Sequence, residues 1–169
     1  MQAPSSFGSP LEIVMRDPLL RGRFLQFMQS THAEENLLFW QDVQEFKTKN
    51  YNSNEEFRAS SLRIFNKYLK EGSSLEVNVA GGIKSRVWEN MKELTVHSFD
   101  PAETSIQCLL EMDSIPKFLR SCENSPTVNS PSQQTHPREK YGKSSQSKLK
   151  ASLLKTLNRG LSRIKRMNG

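Results

Sequence analysis

The sequence has little of what secreted and membrane proteins need. Its two cysteines, Cys108 and Cys122, form neither a CxxC pair nor a Cys/His cluster, so neither a disulfide framework nor a zinc site is predicted. No stretch approaches the roughly 18 apolar residues of a membrane-spanning helix, and the N-terminus has no signal-peptide pattern. We therefore expect a soluble, cytoplasmic protein in a reducing compartment.

The sequence also lacks the motifs of common catalytic sites. It has no phosphate-binding loop, no GxSxG, no HExxH and no Rossmann glycine pattern. The histidines His32, His97 and His136 are scattered, and Cys108 falls among apolar residues where a buried structural thiol is expected. We find no paired nucleophile and base, so we predict a protein that is not an enzyme and needs no cofactor or metal ion.

Charge is distributed unevenly along the 169 residues. From Arg138 onward there are ten Lys and Arg residues and one acid, Glu139, which gives +9. Because the whole chain carries +6, the part before Arg138 carries −3. In the basic tail, Tyr141 is the one aromatic residue, so the tail lacks the repeated interleaving of aromatic and basic residues that is typical of nucleic-acid-binding segments. We therefore expect no nucleic-acid partner.

Apolar residues recur at helical spacing up to about Glu123, and no strand-period segment is longer than a few residues. The pattern predicts two short helices, Leu11 to Met15 and Leu19 to Ser30, a long helix from Ala33 to Lys49, and further helices starting at Asn54, Lys84 and Pro101. We expect an all-α fold in which the long helices pack antiparallel as in a bundle.

The start of the long helix carries a group of polar residues. Thr31 is predicted to cap it, with Glu34 three residues later as in a capping box, and two adjacent acids favour the positive end of the helix dipole. Capping does not explain Asn36, which has poor helix propensity and lies one turn inside. An ordinary helix start and a binding surface therefore both remain open interpretations.

Near the end of the domain the pattern predicts a break. The predicted core face of the preceding helix consists of Ile106, Leu109 and Leu110. Asp113 and Ser114 are expected to interrupt this helix, and Pro116 lies where the first turn of a new helix tolerates proline.

Several separated motifs have the order and spacing of a regulator of G-protein signalling (RGS) domain, and the resemblance covers about Ser9 to Cys122. The motifs are the run from Phe24 to Met28, the run from Glu35 to Trp40, Glu76-Val77-Asn78, and Asp113-Ser114 followed by Lys117-Phe118-Leu119. The resemblance implies an RGS-type helical domain, with an antiparallel four-helix bundle and a terminal helical subdomain.

The resemblance also implies a function, which is GTPase activation of heterotrimeric G-protein α subunits. In that family, polar residues from three loops or helix ends grip the switch regions of the GTP-bound α subunit. Carried over position by position, the resemblance assigns this role to Glu35, Asn36, Asn78, Val79, Leu109, Asp113, Ser114 and Lys117. Asn78 would be the central amide, in contact with the catalytic glutamine of the partner.

The chain departs from the family pattern at several positions of this surface. The family often has Ser at the position of Ala33, Asp at Ala80 and Arg at Lys117. Lysine keeps the charge but loses the bidentate hydrogen bonding of arginine. These departures keep an alternative open, an RGS-homology scaffold or adaptor that binds partners without accelerating GTP hydrolysis. We expect a monomer.

Beyond the domain, placed at residues 9–123, the composition changes twice. Residues 124–147 are rich in Ser, Pro, Asn and Gln and are predicted to be a disordered linker. Residues 148–167 carry one apolar stripe at helical spacing, flanked by the basic residues Lys148, Lys150, Lys155, Arg159, Arg163, Lys165 and Arg166.

A basic amphipathic helix of this kind is typical of membrane-surface and calmodulin-binding elements. We expect it to bind an anionic membrane surface or calmodulin, and to bring the protein to the periphery of the plasma membrane. An alternative is that its apolar stripe docks on the domain itself.

Overall fold

The computed structural model describes residues 8–124, and every regular element in this range is helical. The α-helices are α1 (Pro10–Arg16), α2 (Pro18–Ser30), α3 (Glu34–Thr48), α4 (Asn54–Tyr68), α5 (Gly81–Asn90), α6 (Asp100–Leu109) and α7 (Ile115–Asn124). A 3₁₀ turn (Met91–Glu93) follows α5, and a π turn (Leu110–Ser114) joins α6 to α7. The predicted all-α class is confirmed.

The predicted basic helix at residues 148–167, and all but the first residue of the predicted linker, lie outside the described residues. Within the described part of the chain, no helix is long and apolar enough to cross a membrane.

Side-chain caps define where three of the helices begin. The hydroxyl of Ser9 accepts the backbone N–H of Glu12, and the carboxylate of Glu12 accepts the N–H of Ser9, which together form a capping box. Asp17 caps α2, whose first residue is a proline, and Ser53 caps α4. These helix starts follow from local sequence alone.

The predicted cap of α3 at Thr31 is wrong. The hydroxyl of Thr31 donates to the carbonyls of Phe27 and Met28, so it closes α2 instead. His32 follows with a left-handed φ of 52°, and Ala33 stands at the N-cap of α3 without a side-chain hydrogen bond. A hydroxyl between two helices can form hydrogen bonds at the end of the first or at the start of the second, and the spacing of residues in the sequence does not distinguish these two possibilities.

Helices α3 and α4 pack antiparallel. In the middle of α3, Asp42 accepts hydrogen bonds from the ammonium of Lys67 at 3.0 Å and the hydroxyl of Tyr68 at 2.9 Å, both at the end of α4. Near the end of α3, the ring of Phe46 lies 5.0 Å from the ring of Phe57 at the start of α4. Apolar and polar contacts therefore impose the same register.

Helix α6 also runs antiparallel to α3. Lys47, at the end of α3, forms ion pairs with Asp100, at 2.7 Å, and with Glu103 in the first turn of α6. Phe99, the residue before α6, packs edge-on against Phe46 with ring centroids 5.3 Å apart. Helix α5 completes the bundle, since it packs on α6 and its Trp88 lies against α4.

The terminal helices form a second packing unit. Phe118 of α7 lies 5.2 Å from Phe24 and 5.7 Å from Phe27, both on α2. Helix α1 packs on α2 and on the π turn, and buries Leu11 and Val14. The two ends of the domain therefore meet beside the start of α3.

The predicted interruption at Asp113 and Ser114 takes the form of the π turn Leu110–Ser114, and α7 begins directly after it with Pro116 in its first turn. Pro116 has no N–H, and its ring crowds the carbonyl one turn back, which a wider π turn accommodates without a break. In this geometry Leu109 is 41% exposed, contrary to its predicted place on the core face. Cys108, which we expected to be buried, is exposed as well.

We expect Phe46→Ala to lower the free energy of unfolding by about 3–5 kcal/mol, because it leaves a cavity among well-packed rings. Phe46 packs against the rings of Tyr51, Phe57 and Phe99. Urea denaturation followed by circular dichroism measures this, with the exposed Leu62→Ala as control, expected to cost about 1 kcal/mol or less. Equal losses for the two variants would contradict the assignment of Phe46 to the centre of the core.

Candidate partner-binding surface

The segments that carry the predicted binding residues meet at one end of the bundle. Since α4 and α6 both run antiparallel to α3, the start of α3 lies beside the end of α4 and the end of α6. The ring of Phe39, one turn after Glu35, packs edge-on against Tyr68 at 5.5 Å. The carbonyl of Tyr68 accepts the N–H of Val77 at 2.9 Å, which ties the Asn78 segment to the same end.

We call this end the candidate surface. It comprises Glu35, Asn36, Asn78, Leu109, Met112, Asp113 and Lys117, from the start of α3, the segment before α5, and the stretch from α6 into α7. The predicted residues Val79 and Ser114 belong to the same segments, but their side chains are buried, as is that of Asn36.

The first edge of the candidate surface is the pair Glu35 and Asn36. The side-chain amide of Asn36 donates to the carboxylate of Glu35 at 2.6 Å and to the carbonyl of Ala33 at 3.3 Å. Asn36 is only 6% exposed, and its Oδ1 has no hydrogen-bond partner within residues 8–124. A buried acceptor without a partner costs about 1–3 kcal/mol, and the buried Asn36 contributes to this edge by holding the carboxylate of the half-buried Glu35.

Asn78 forms the centre of the candidate surface. Its neighbours Val77 and Val79 are both buried, so the backbone is anchored on each side while the amide is exposed. Within the described part of the chain, no hydrogen bond holds the Asn78 side chain. Both its donor and its acceptor are therefore available to a partner.

Glu76 links the Asn78 segment to its surroundings. Its carboxylate accepts the ammonium of Lys84 in α5 at 2.5 Å and the N–H of Gly72, after α4, at 2.8 Å. The hydrogen bonds from Lys84 and Gly72 lower the pKa of the Glu76 carboxyl below its usual range. Lys84 was predicted only as the start of a helix and not as a partner of Glu76, because an ion pair that spans a loop leaves no periodic signal in the sequence.

The far edge of the candidate surface combines apolar and charged groups. Leu109 is 41% and Met112 is 53% exposed, one turn apart where α6 passes into the π turn. Asp113 and Lys117 form an exposed ion pair at 2.8 Å, a kind of pair that contributes little to stability and is easily exchanged for a partner's group. Met112 was not predicted to belong to the surface, because its exposure depends on the π turn.

These groups can bind but have no catalytic arrangement of their own. They supply two amides, carboxylates, an ammonium group and two apolar side chains, without a nucleophile beside a base. In residues 8–124 no cluster of three or more His, Cys, Asp or Glu side chains could hold a metal ion. The surface is thus suited to recognising another protein.

Comparison with known proteins gives a consistent result. The model of the regulator of G protein signaling domain matches residues 10–124. The human protein named regulator of G-protein signaling 21 is 31% identical over 116 residues, which are 68% of this chain and 74% of that protein. The bovine regulator of G-protein signaling 7 is 28% identical over 155 residues, covering 92% of this chain and 31% of that protein.

The chain is also similar to the bovine regulator of G-protein signaling 19, with 30% identity over 117 residues, or 69% of this chain and 51% of that protein. It therefore spans about three quarters of the first relative, a little under a third of the second and about half of the third.

The lowered pKa of Glu76 predicts a pH-dependent contribution to stability. Because its pKa in the folded state lies below the ordinary value of 4.5, its interactions with Lys84 and Gly72 stabilise the fold above pH 4.5 and are lost as the pH falls through the lowered pKa. We expect wild type to have a higher urea midpoint than Glu76→Gln at pH 7. This difference should shrink below pH 4.5, and a constant difference down to pH 3 would contradict the prediction.

Proposed function

The chain belongs to the regulator of G-protein signalling (RGS) family, and on that basis we propose that it is a GTPase-activating protein for heterotrimeric G-protein α subunits. The observation that carries the proposal is the placement of Asn78. Its side-chain amide is exposed and makes no hydrogen bond within the described residues. The segment that carries it is anchored by two buried valines and lies at the end of the bundle where Glu35 and Asp113 also lie.

The chemistry of this activity belongs to the α subunit. An α subunit carries its catalytic arginine in cis and needs its switch glutamine held so that it orients the attacking water. The amide of Asn78 can accept from the glutamine and donate to a neighbouring switch residue. Holding a mobile switch segment in its reactive arrangement speeds hydrolysis without any new catalytic group.

The two edges of the candidate surface would keep the switch regions in register with Asn78. At one edge, the carboxylate of Glu35, held by the side-chain amide of Asn36, can accept a donor from the partner. At the other edge, Leu109 offers apolar contact and Asp113 can exchange its pair with Lys117 for a basic group of the partner. These contacts supply affinity and orientation together.

The test is single-turnover hydrolysis of GTP preloaded on several α subunits, with and without this protein. We expect acceleration of at least one α subunit, and we expect Asn78→Ala to reduce it about 100-fold, the scale on which misplacement of a catalytic group lowers a rate. Asn54→Ala is the matched control, because Asn54 is exposed at the start of α4, at the opposite end of the bundle. The Asn54→Ala variant should accelerate GTP hydrolysis as much as wild type does.

Binding to the aluminium fluoride complex of an α subunit, without acceleration of any α subunit, would instead favour the scaffold function. This second candidate is favoured by three residues that differ from those the family often has at the same positions, namely Ala33, Ala80 and Lys117. Unchanged acceleration by Asn78→Ala would exclude the proposed role of Asn78.

We further propose that the basic segment from Lys148 to Arg166 brings the protein to an anionic membrane surface, at the cytoplasmic face of the plasma membrane. Each basic residue near an anionic leaflet contributes about 1 kcal/mol, so the seven basic residues of this segment favour membrane binding over solution.

Deletion of Lys148 to Gly169 should abolish sedimentation with vesicles that contain phosphatidylserine. The intact 169-residue chain should bind these vesicles and should not bind vesicles of phosphatidylcholine alone, which lack the attracting charge. Vesicle binding by the truncated chain would contradict the proposal. Calcium-dependent binding of the intact chain to calmodulin, without binding to vesicles, would assign the segment to calmodulin.

A further inference from the structure

Helix α5 begins without a side-chain cap. Its N-cap residue is Ala80, which makes no capping hydrogen bond, and its first two residues are Gly81 and Gly82, both exposed. Glycine restrains the backbone less than any other residue, and an uncapped helix start loses about 1 kcal/mol relative to one capped by Asp or Ser. The chain from Ala80 into the first turn of α5 therefore has little local restraint.

A long-range contact spans this weakly restrained stretch. Glu76 lies two residues before Asn78, and Lys84, in the first turns of α5, lies six residues after it; their side chains meet at 2.5 Å. The second oxygen of Glu76 accepts the N–H of Gly72 in the turn that follows α4. One carboxylate thus joins the end of α4, the Asn78 segment and the start of α5.

The Glu76–Lys84 contact is better shielded than the other ion pair of this region. The side chains of Glu76 and Lys84 are 30% and 23% exposed, whereas those of Glu89 and Lys92 are 65% and 62% exposed. Solvent screens a shielded pair less. The contact can therefore hold the two sides of the segment together.

We propose that the Glu76–Lys84 ion pair positions Asn78, in place of the helix cap that Ala80 cannot provide. Buried Val77 and Val79 anchor the backbone on either side of Asn78, and the ion pair fixes the path from there into α5. Glu76 and Lys84 are positioning residues that act through Asn78. The proposal rests on the proposed function only for its effect on GTP hydrolysis.

Loss of the Glu76–Lys84 pair should affect the positioning of the α subunit's glutamine more than the binding of the α subunit. Without the pair, the segment samples more conformations, so the Asn78 amide spends less time where it orients the glutamine of the α subunit. The two edges of the candidate surface are built on α3 and on the stretch from α6 to α7, which the pair does not contact. Loss of the pair should therefore lower the maximal hydrolysis rate more than the affinity.

The experiment compares Lys84→Ala with wild type in single-turnover hydrolysis over a range of protein concentrations. We expect the maximal rate to fall about three- to fivefold, the scale of a partly exposed ion pair, and the half-saturating concentration to change less than about twofold. The control is Lys92→Ala, which removes a lysine paired with Glu89 at 2.6 Å, away from the Asn78 segment. It should leave both parameters unchanged.

A rescue variant tests the replacement of the cap directly. Adding Ala80→Asp to Lys84→Ala supplies a carboxylate that can accept the N–H groups of the first turn of α5, and it should restore most of the maximal rate. Thermal melting of the variants identifies any general loss of fold. A reduced rate that Ala80→Asp does not restore would overturn the proposal that the pair replaces a cap.

Hydrogen exchange separates this inference from the proposed function, because it needs no partner. In the isolated full chain, the amide hydrogens of residues 76–83 should exchange faster in Lys84→Ala than in wild type. Lys92→Ala should leave their exchange unchanged. Unchanged exchange in Lys84→Ala, or faster exchange with an unchanged maximal rate, would overturn the inference. If wild type accelerates no α subunit, the proposed function is wrong, and faster exchange in Lys84→Ala still supports the restraint of the segment.

Discussion

The aromatic rings along α3 determine the geometry on which the rest of the domain depends. Phe39 packs edge-on against Tyr68, and Phe46 packs against Phe57 and edge-on against Phe99, at centroid distances of 5.0–5.5 Å. Edge-on ring contacts constrain orientation as well as separation. Because the rings on one helix contact partners on α4 and before α6, they set the direction of both helices relative to α3.

That geometry produces the candidate surface. With α4 and α6 antiparallel to α3, one end of the bundle collects the start of α3, the segment after α4 and the π turn after α6. Each segment contributes a few polar or apolar groups, and none of them could form the surface alone. A bound switch region would contact all three segments, so its arrangement depends on the rigidity of the bundle behind them.

The same end of the bundle also carries several locally unfavourable features. Asn36 keeps a buried acceptor without a partner in residues 8–124, α3 and α5 begin without side-chain caps, and His32 adopts a left-handed backbone conformation. Each feature costs stability, and the aromatic core offsets that cost. Departures from local optima of this kind concentrate at functional sites, where binding groups must remain available.

Much of the architecture followed from the sequence, because helical periodicity, prolines and polar loops are local signals. The all-α class and the position of α3 were predictable in this way, whereas the residues of the candidate surface were predicted from the resemblance to the RGS family. The tertiary structure decided the rest: that Thr31 closes α2, that Leu109 and Met112 face solvent across a π turn, and that Glu76 meets Lys84. Periodicity reports which residues share a face of one helix, whereas contacts across loops and between helices depend on how the whole chain packs.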